Sequence, residues 1–252
     1  MKLKKIMIAM MSTAALGATP VYAGEAHVHW GYQGHTGPDQ WARLSDDFAT
    51  CAAGKRQSPI DIRKSKAVKA TLTPIEFDYQ AITPEVVNNG HTIQANYSPG
   101  SGISVNGKHF DLLQFHFHTP SENTVEGKPY NMEMHLVHKN KQGQLAVVGV
   151  FIKSGKHNDE IQKLWDKMPE HAGDKSGLDS SLSAADLLPK QRSFSHFNGS
   201  LTTPPCSEGV NWYVMDEPIE MSAAQIKKFA HVIGHNARPV QVLNDRFVLS
   251  RL

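Results

Sequence analysis

Apolar and polar residues alternate with a period of two along much of the chain, which is the pattern of half-buried β-strands. Strands are predicted at 91–97, 103–105, 108–118, 132–138 and 145–152. The dipeptide Asn106-Gly107 is the strongest short signal for a tight hairpin between two such runs. The run 145–152 is almost continuously apolar, as expected of a central strand that is covered on both faces.

Helical periodicity is confined to two short segments. Asn158 is placed to cap the first, in which apolar residues recur at helical spacing until Pro169. Ser222 is placed to cap the second, which Gly234 ends. Residues 172–183 are rich in Gly, Ser and Asp and are predicted to form a loop. We therefore predict a mainly β fold with peripheral short helices (α+β), a single domain built on a large, mostly antiparallel twisted sheet.

The N-terminal residues have the pattern of a secretory signal peptide. A positive start, an apolar stretch and a small-residue cleavage site follow one another as Lys2, Lys4 and Lys5, residues 6–16, and Val21-Tyr22-Ala23. The apolar stretch is too short to span a membrane. We expect cleavage after Ala23, which leaves residues 24–252 as one domain without a membrane anchor. The expected location is the periplasm, with secretion as the alternative.

Cleavage would change the charge of the protein. Removing three Lys from the 26 basic residues leaves 23, one fewer than the 24 acidic residues. A nearly neutral mature protein gives no electrostatic reason to expect nucleic acid or an anionic membrane as a partner.

The chain has two cysteines, Cys51 and Cys206. In an oxidising compartment the default prediction is one disulfide. Two free thiols, or a cysteine metal ligand, are the alternative, although neither cysteine has a partner at CxxC spacing.

Three histidines lie on the alternating runs in a pattern that predicts a metal site. His116 and His118 share one face of their strand, and His135 lies on the next strand. Neutral imidazoles with a vacant fourth position suit Zn²⁺. By the same alternation Gln114 can orient His116 and Glu133 can orient His135, because a ligating His usually passes its other N–H to an oxygen.

A zinc-bound hydroxide also needs to be oriented, by a hydroxyl that accepts its proton and donates its own to a carboxylate. The proline-stiffened segment 200–205 supplies hydroxyls, with Thr202 as the candidate, and Glu122 is the candidate carboxylate. The sequence does not give the distance between these two side chains.

With these residues in view, the chain resembles an α-class carbonic anhydrase of the bacterial, exported kind. Matching motifs cover essentially the whole mature chain, in the family's order, at 29–32, 57–60, 88–91, 114–118, 121–122, 133–138, 145–151, 200–205, 211–212 and 236–239. The resemblance implies zinc-dependent, reversible hydration of CO₂ to bicarbonate and a proton, by attack of zinc-bound hydroxide.

The resemblance also implies roles for individual residues. His116, His118 and His135 would bind one zinc ion, with Gln114 and Glu133 behind them. Thr202 and Glu122 would orient the hydroxide, Thr203 would line the site, and His91 would shuttle the proton. The apolar wall that holds CO₂ would consist of Val137, Val147, Leu201, Val210 and Trp212. A Cys51–Cys206 disulfide fits exported members, and a homodimer is possible.

One departure from the family pattern concerns Phe194 and Phe197, which stand in a segment where a tyrosine is usual. A hydroxyl contact beside the site is therefore expected to be missing.

Three other interpretations compete with this one. The spacing of His116, His118 and Glu122 matches the ligands of cupin barrels, but Phe110 stands where cupins want a glycine. Metallo-β-lactamase-like hydrolases want an aspartate where Pro120 stands. A non-catalytic binding module on the same fold is the third alternative, and the presence of all three histidines weighs against it.

Overall fold

The computed structural model describes residues 28–251. The predicted signal peptide, 1–23, therefore lies outside the described residues. The strands are β1 (Asp61–Ile62), β2 (Val68–Ala70), β3 (Glu76–Asp78), β4 (Glu85–Asn88), β5 (Ile93–Asn96), β6 (Gly102–Val105), β7 (Lys108–His118), β8 (Thr124–Val125), β9 (Lys128–Pro129), β10 (Met132–Lys139), β11 (Leu145–Ser154), β12 (Lys175–Gly177), β13 (Phe194–Ser200), β14 (Glu208–Met215), β15 (Ile219–Met221) and β16 (Leu249–Arg251). The α-helices are α1 (Trp41–Leu44), α2 (Thr50–Ala53), α3 (Asp159–Asp166) and α4 (Ala223–Ile233).

Thirteen of these strands form one sheet, whose main path runs β12-β4-β5-β7-β10-β11-β14-β13-β16-β2. Most neighbouring strands are antiparallel, as predicted. The pairs β11–β14, β11–β15 and β16–β2 are parallel, so the sheet is mixed. A small separate sheet contains β1, β8 and β9. The two longest strands, β7 and β11, flank β10 at the centre of the sheet. The β10–β11 ladder is continuous, whereas the register of β7 with β10 shifts between Val137 and His138.

Both predicted hairpin pairs are confirmed. Strands β6 and β7 pair across Asn106-Gly107, and Asn106 takes the positive φ that such a turn requires. Strands β10 and β11 pair from Met132↔Ile152 to Lys139↔Leu145.

The sheet has a hydrophobic cluster on each face. The larger cluster contains Phe115, Phe117 and Leu136, and it is covered by α3 and α4 through Trp165 and Phe229. The smaller cluster is formed by the residues of the central strands that point to the opposite face, together with residues of the small sheet. The alternation predicted from the sequence therefore separates two buried faces.

Both predicted helix caps are present. The Asn158 side chain accepts a hydrogen bond from the backbone of Ile161, and Ser222 forms a capping box with Gln225. None of the described helices is long and apolar enough to cross a membrane.

The prediction of a loop over 172–183 is wrong in part. Lys175–Gly177 forms strand β12, which pairs antiparallel with β4 at the edge of the sheet. The sequence of this short strand shows little alternation of apolar and polar residues. Its extended conformation depends on the backbone hydrogen bonds to β4, which the sequence does not reveal.

A disulfide joins Cys51 in α2 to Cys206 in the loop after β13. Beside it, the rings of Trp30, Tyr32 and Trp41 make edge-on contacts with one another. Together these contacts fasten the N-terminal segment to the body of the protein.

Candidate metal centre

Register places the three predicted ligands at one point on the sheet. His135 on β10 lies directly opposite His116 on β7, and Glu133 lies opposite His118. One ligand atom from each histidine can be chosen so that all three lie within 4.8 Å of one another. His118 and His135 are buried, whereas His116 is half-buried and lies nearest to solvent. The alternation of β7 and β10 therefore produces the convergence that the sequence predicts.

Hydrogen bonds leave one nitrogen of each ring free to face this point. His116 Nδ1 lies 2.8 Å from Gln114 Oε1, and His118 Nδ1 lies 2.8 Å from the carbonyl oxygen of Asn236. His135 Nε2 lies 3.2 Å from Glu133 Oε1 in a poorly aligned contact. By elimination, the inward nitrogens are Nε2 of His116, Nε2 of His118 and Nδ1 of His135.

Glu133 is fully buried and held by three further donors. Its Oε2 accepts the backbone N–H groups of Glu122 and Asn123, and its Oε1 accepts from the Asn123 side chain, all at 2.8–2.9 Å. A Cβ at Gly149 would lie 2.9 Å from Oε1. A glycine opposite His135 therefore leaves the room that this carboxylate occupies.

The surroundings keep all three imidazoles neutral. Burial lowers the pKa of His118 to about 4, against smaller opposing effects of Asn236 and Glu133. Desolvation, followed by the neighbouring imidazoles, holds the pKa of His116 and of His135 well below 6.5. Neutral rings have lone pairs available, which is the state a metal ligand requires.

Glu122 is buried beside the same point. Its Oε2 lies 3.6 Å from His118 Nε2 and 3.9 Å from His135 Nδ1, and its Oε1 accepts the backbone N–H of Arg238 at 2.8 Å. Burial raises the pKa of Glu122 to about 8, although the Thr202 hydroxyl is near enough to oppose the rise. The structure thus brings Glu122 and Thr202 together, with Oε2 left without a well-formed hydrogen bond.

The donor set fits a divalent cation. His118 Nε2 and Glu122 Oε2 are buried atoms without hydrogen-bond partners, and burial raises the pKa of Glu133 to about 7. A cation between the imidazoles would accept the free lone pairs and would lower the pKa of both carboxylic acids. Three nitrogen ligands in such a cluster are the set that zinc prefers.

The residues predicted to form an apolar wall gather in the smaller cluster. Val147, Val210 and Trp212 are buried there, and Val137 and Leu201 pack against them with partial exposure. The Trp212 ring makes an edge-on contact with His135, with centroids 4.8 Å apart. Thr203, also half-buried, follows Thr202 on the adjoining loop. The wall therefore borders the imidazole group directly.

Phe194 and Phe197, which stand in the segment where the resemblance leads one to expect a tyrosine, pack without a hydroxyl. Phe197 stacks parallel to Trp212, and Phe194 makes an edge-on contact with Tyr213. Phe197 thus supports the apolar wall from behind.

His91 lies half-buried at the start of the segment that leads into β5. Its ring stacks on Trp30 at 3.7 Å between centroids, with the planes 5° apart. Desolvation, then the nearby His29, lowers the pKa of His91 from 6.5. Its carbonyl oxygen accepts a hydrogen bond from Asn236, which also holds His118.

Sequence reasoning did not assign four residues that the structure brings to the site. Asn236 orients His118, Asn123 holds Glu133, and Arg238 holds Glu122. Burial, and then the nearby Glu122, raises the pKa of Tyr32. The contacts of Asn236 and Arg238 join segments more than a hundred residues apart, so no local spacing could have revealed them, whereas Asn123 lies ten residues before Glu133. The matching motif at 236–239 was the available signal for Asn236 and Arg238.

The fold and the site define a protein in which a three-imidazole group that could hold a metal ion stands on a large mixed sheet beside an apolar wall. The model of the eukaryotic-type carbonic anhydrase family matches residues 36–252. A carbonic anhydrase from Nostoc is 44% identical over 254 residues, which cover 99% of this chain and 96% of the relative. One from Pectobacterium carotovorum is 41% identical over 246 residues, covering 97% and 98%.

The solved α-carbonic anhydrase of Thermovibrio ammonificans, in complex with the inhibitor sulfanilamide, superimposes with a TM-score of 0.87. It is 50% identical, and the match covers 88% of this chain and 99% of that one. The chain belongs to the α-class, eukaryotic-type carbonic anhydrases. This family match replaces the alternative cupin interpretation, which depended only on the spacing of His116, His118 and Glu122.

Proposed function

We propose that the protein catalyses the reversible hydration of CO₂ to bicarbonate and a proton, with one zinc ion held by His116, His118 and His135. The observation that carries this proposal is the convergence of three neutral imidazoles beside Glu122 and an apolar wall in a member of this family. When bound, zinc would act as a Lewis acid and lower the pKa of a coordinated water to about 7, a value known from carbonic anhydrase itself and not obtained from this structure.

The residues behind the ligands would fix their orientation. Gln114, Glu133 and the Asn236 carbonyl each engage the outward nitrogen of one histidine. Such partners set the tautomer and the ring angle of a ligand and raise its basicity. The site would therefore be held in its binding geometry before the metal arrives.

Thr202 and Glu122 would orient the attacking oxygen. A threonine hydroxyl can accept one hydrogen bond and donate another. With Glu122 accepting its proton, the Thr202 hydroxyl can only accept from the nucleophile, which aligns a lone pair toward the substrate. Thr203 would line the pocket beside it.

The apolar wall would hold CO₂. Carbon dioxide carries no charge and makes weak hydrogen bonds, so a surface of Val137, Val147, Leu201, Val210 and Trp212 is suited to it. Bicarbonate is charged and binds such a wall poorly, which favours its exchange for water.

His91 would carry the proton to buffer. Its side chain is half-buried, and desolvation, then the nearby His29, lowers its pKa from 6.5. A pKa below 6.5 favours the neutral ring at pH 7, the form that accepts a proton.

Stopped-flow CO₂ hydration by zinc-replete protein tests the proposal. We expect hydration in the native protein, a strong loss with retained zinc in Thr202→Ala, and loss of zinc in His118→Ala. Stoichiometric zinc without hydration would contradict the proposal and favour the binding-module alternative. Loss of zinc in Thr202→Ala would mean that Thr202 is mainly structural.

The shuttle has a separate test. In His91→Ala we expect turnover to fall in weak buffer and to recover with added imidazole, which replaces the missing proton carrier. Unchanged turnover in weak buffer would contradict the role of His91.

We further propose that the protein is exported, to the periplasm or beyond it. The Cys51–Cys206 disulfide supports an oxidising compartment. Fractionation of cells expressing the full chain, with N-terminal sequencing of the product, tests export and the expected cleavage after Ala23. Homodimer formation stays a prediction that sedimentation would test.

A further inference from the structure

The backbone N–H that holds Glu122 belongs to a segment without regular secondary structure. Residues 234–243 form neither helix nor strand, so no ladder fixes the position of Arg238. Its N–H nevertheless donates to Glu122 Oε1 at 2.8 Å, and its side chain is 3% exposed. Something other than secondary structure must hold this donor in place.

Backbone hydrogen bonds of Asn236 to Thr119 and of Gln241 to Pro59 hold the segment on either side of Arg238, and the guanidinium of Arg238 supplies the support at this residue itself. Nη1 donates to Gln57 Oε1 at 2.9 Å and to the Ser58 carbonyl at 2.8 Å, and Nη2 donates to the Cys51 carbonyl at 2.8 Å. Its Cζ lies over the Trp41 ring, 5.5 Å from the centroid. The planar fork of arginine makes three such bonds at fixed angles, which lysine cannot reproduce.

The segment that anchors Arg238 also anchors the loop that carries Thr202. Ser58 and Ser200 exchange reciprocal hydrogen bonds, from Ser58 N to Ser200 Oγ at 2.9 Å and from Ser200 N to Ser58 Oγ at 3.1 Å. Ser200 stands two residues before Thr202. The loop that carries Thr202 is therefore hydrogen-bonded to the same segment that holds the Arg238 side chain.

The disulfide adds a second connection between these parts. Gln57, which accepts from Arg238, also donates from Nε2 to the Cys206 carbonyl at 3.0 Å. Cys206 is bonded to Cys51, whose carbonyl accepts from Arg238. We call residues 51–58 the platform. The platform is hydrogen-bonded to Arg238, which holds Glu122, and also to the loop that carries Thr202.

We propose that Arg238 is a positioning residue. Its side chain fixes the backbone N–H that holds Glu122 to the platform, and so keeps Glu122 at a constant position relative to Thr202. This inference rests on the proposed function, in which these two side chains act as a pair. It assigns a role to a side chain that does not itself reach the imidazole group.

The test compares the same substitution at two buried arginines. Arg238→Lys keeps the charge but cannot satisfy all three acceptors. Arg246→Lys is the matched control, since Arg246 donates to the carbonyls of Leu243, Asn198 and Val242 and is 8% exposed, yet it makes no contact with Glu122. Thermal midpoints of both variants measure the purely structural cost.

Two readouts report on position. In metal-free protein near pH 7, hydrogen exchange of the backbone amide at position 238 should accelerate roughly three- to tenfold in Arg238→Lys, the scale of weakening one hydrogen bond to an uncharged carboxyl group. In zinc-replete protein kcat should fall by a similar factor with KM for CO₂ nearly unchanged, because the apolar wall is untouched. In Arg246→Lys we expect neither change.

If Arg238→Lys retained native exchange and native kcat, or if Arg246→Lys lowered kcat equally, the inference would be overturned. If Arg238→Lys does not fold, Gln57→Met provides the same comparison by removing one acceptor, and an unchanged exchange rate there overturns the inference. Failure of the proposed function is distinguishable, because the native zinc-replete protein would then show no hydration while the exchange measurement on metal-free protein still reported the anchoring of position 238.

Discussion

Replacing Glu133 with glutamine should weaken zinc binding and destabilise the metal-free protein. Glu133 accepts three hydrogen bonds, from the N–H groups of Glu122 and Asn123 and from the Asn123 side chain. An amide of the same size has one acceptor oxygen and one donor group. Whichever way it turns, the amide NH₂ faces at least one of these donors.

The magnitude follows from the bonds lost. A hydrogen bond contributes about 0.5–1.5 kcal/mol between neutral groups and about 1.5–3 kcal/mol when one group is charged. Because burial raises the pKa of Glu133 to about 7 in the metal-free protein, the variant should lose about 0.5–3 kcal/mol of unfolding free energy, with the larger loss above pH 7. Glu133 also lies 3.2 Å from the outward nitrogen of His135. Loss of such a partner typically weakens metal affinity roughly 10- to 100-fold.

Chelator competition measures the zinc dissociation constant, and urea unfolding of the metal-free protein measures stability. Glu208→Gln is the matched control, because Glu208 also accepts a backbone N–H and a side-chain amide, from Arg56 and Gln57, but lies away from the imidazoles. We expect zinc affinity to fall in Glu133→Gln and to stay native in Glu208→Gln. Equal affinities in both variants would refute the reasoning about His135.

Three further predictions concern the rest of the molecule. Removal of the disulfide by Cys51→Ser with Cys206→Ser should lower the unfolding free energy by about 5 kcal/mol in the chain-entropy model, because the cross-link spans 155 residues. Chemical denaturation of the double variant measures this loss, and a value below about 1 kcal/mol would contradict the prediction. Burial lowers the pKa of His138 to about 3 in the folded protein, against about 6.5 in the unfolded chain. As the pH falls, the unfolded chain therefore binds a proton at His138 before the folded protein does. The unfolding free energy should fall by up to about 5 kcal/mol between pH 6.5 and pH 3. His138→Asn should flatten that profile in urea titrations, and an unchanged slope would argue against it. NMR titration should place the pKa of His91 below 6.5, and Trp30→Ala should raise it by exposing the ring; a native value in the variant would contradict desolvation as the cause.

The central part of the fold was predictable because it is encoded locally. Alternation along β7 and β10 determines which side chains share a face, and the tight Asn106-Gly107 turn determines the register of one hairpin. The three histidines could be assigned to one site on this basis alone. Helix caps at Asn158 and Ser222 were likewise local signals.

What could not be predicted depends on contacts between distant segments. The parallel pairing of β11 with β14 and the edge strand β12 have no local signature. The same is true of the Asn236 carbonyl that orients His118, since a backbone oxygen leaves no trace in residue type. The support of Glu122 by Arg238 also joins positions more than a hundred residues apart.

A zinc titration followed by CO₂ hydration tests the central claim most directly. Metal-free protein would receive zinc in steps, and the initial hydration rate would be measured by stopped flow at each step. We predict that the rate rises in proportion to zinc and reaches its plateau at one equivalent per chain, and that His135→Ala shows no such rise. A rate that stays at the uncatalysed level after one equivalent has bound would contradict the account.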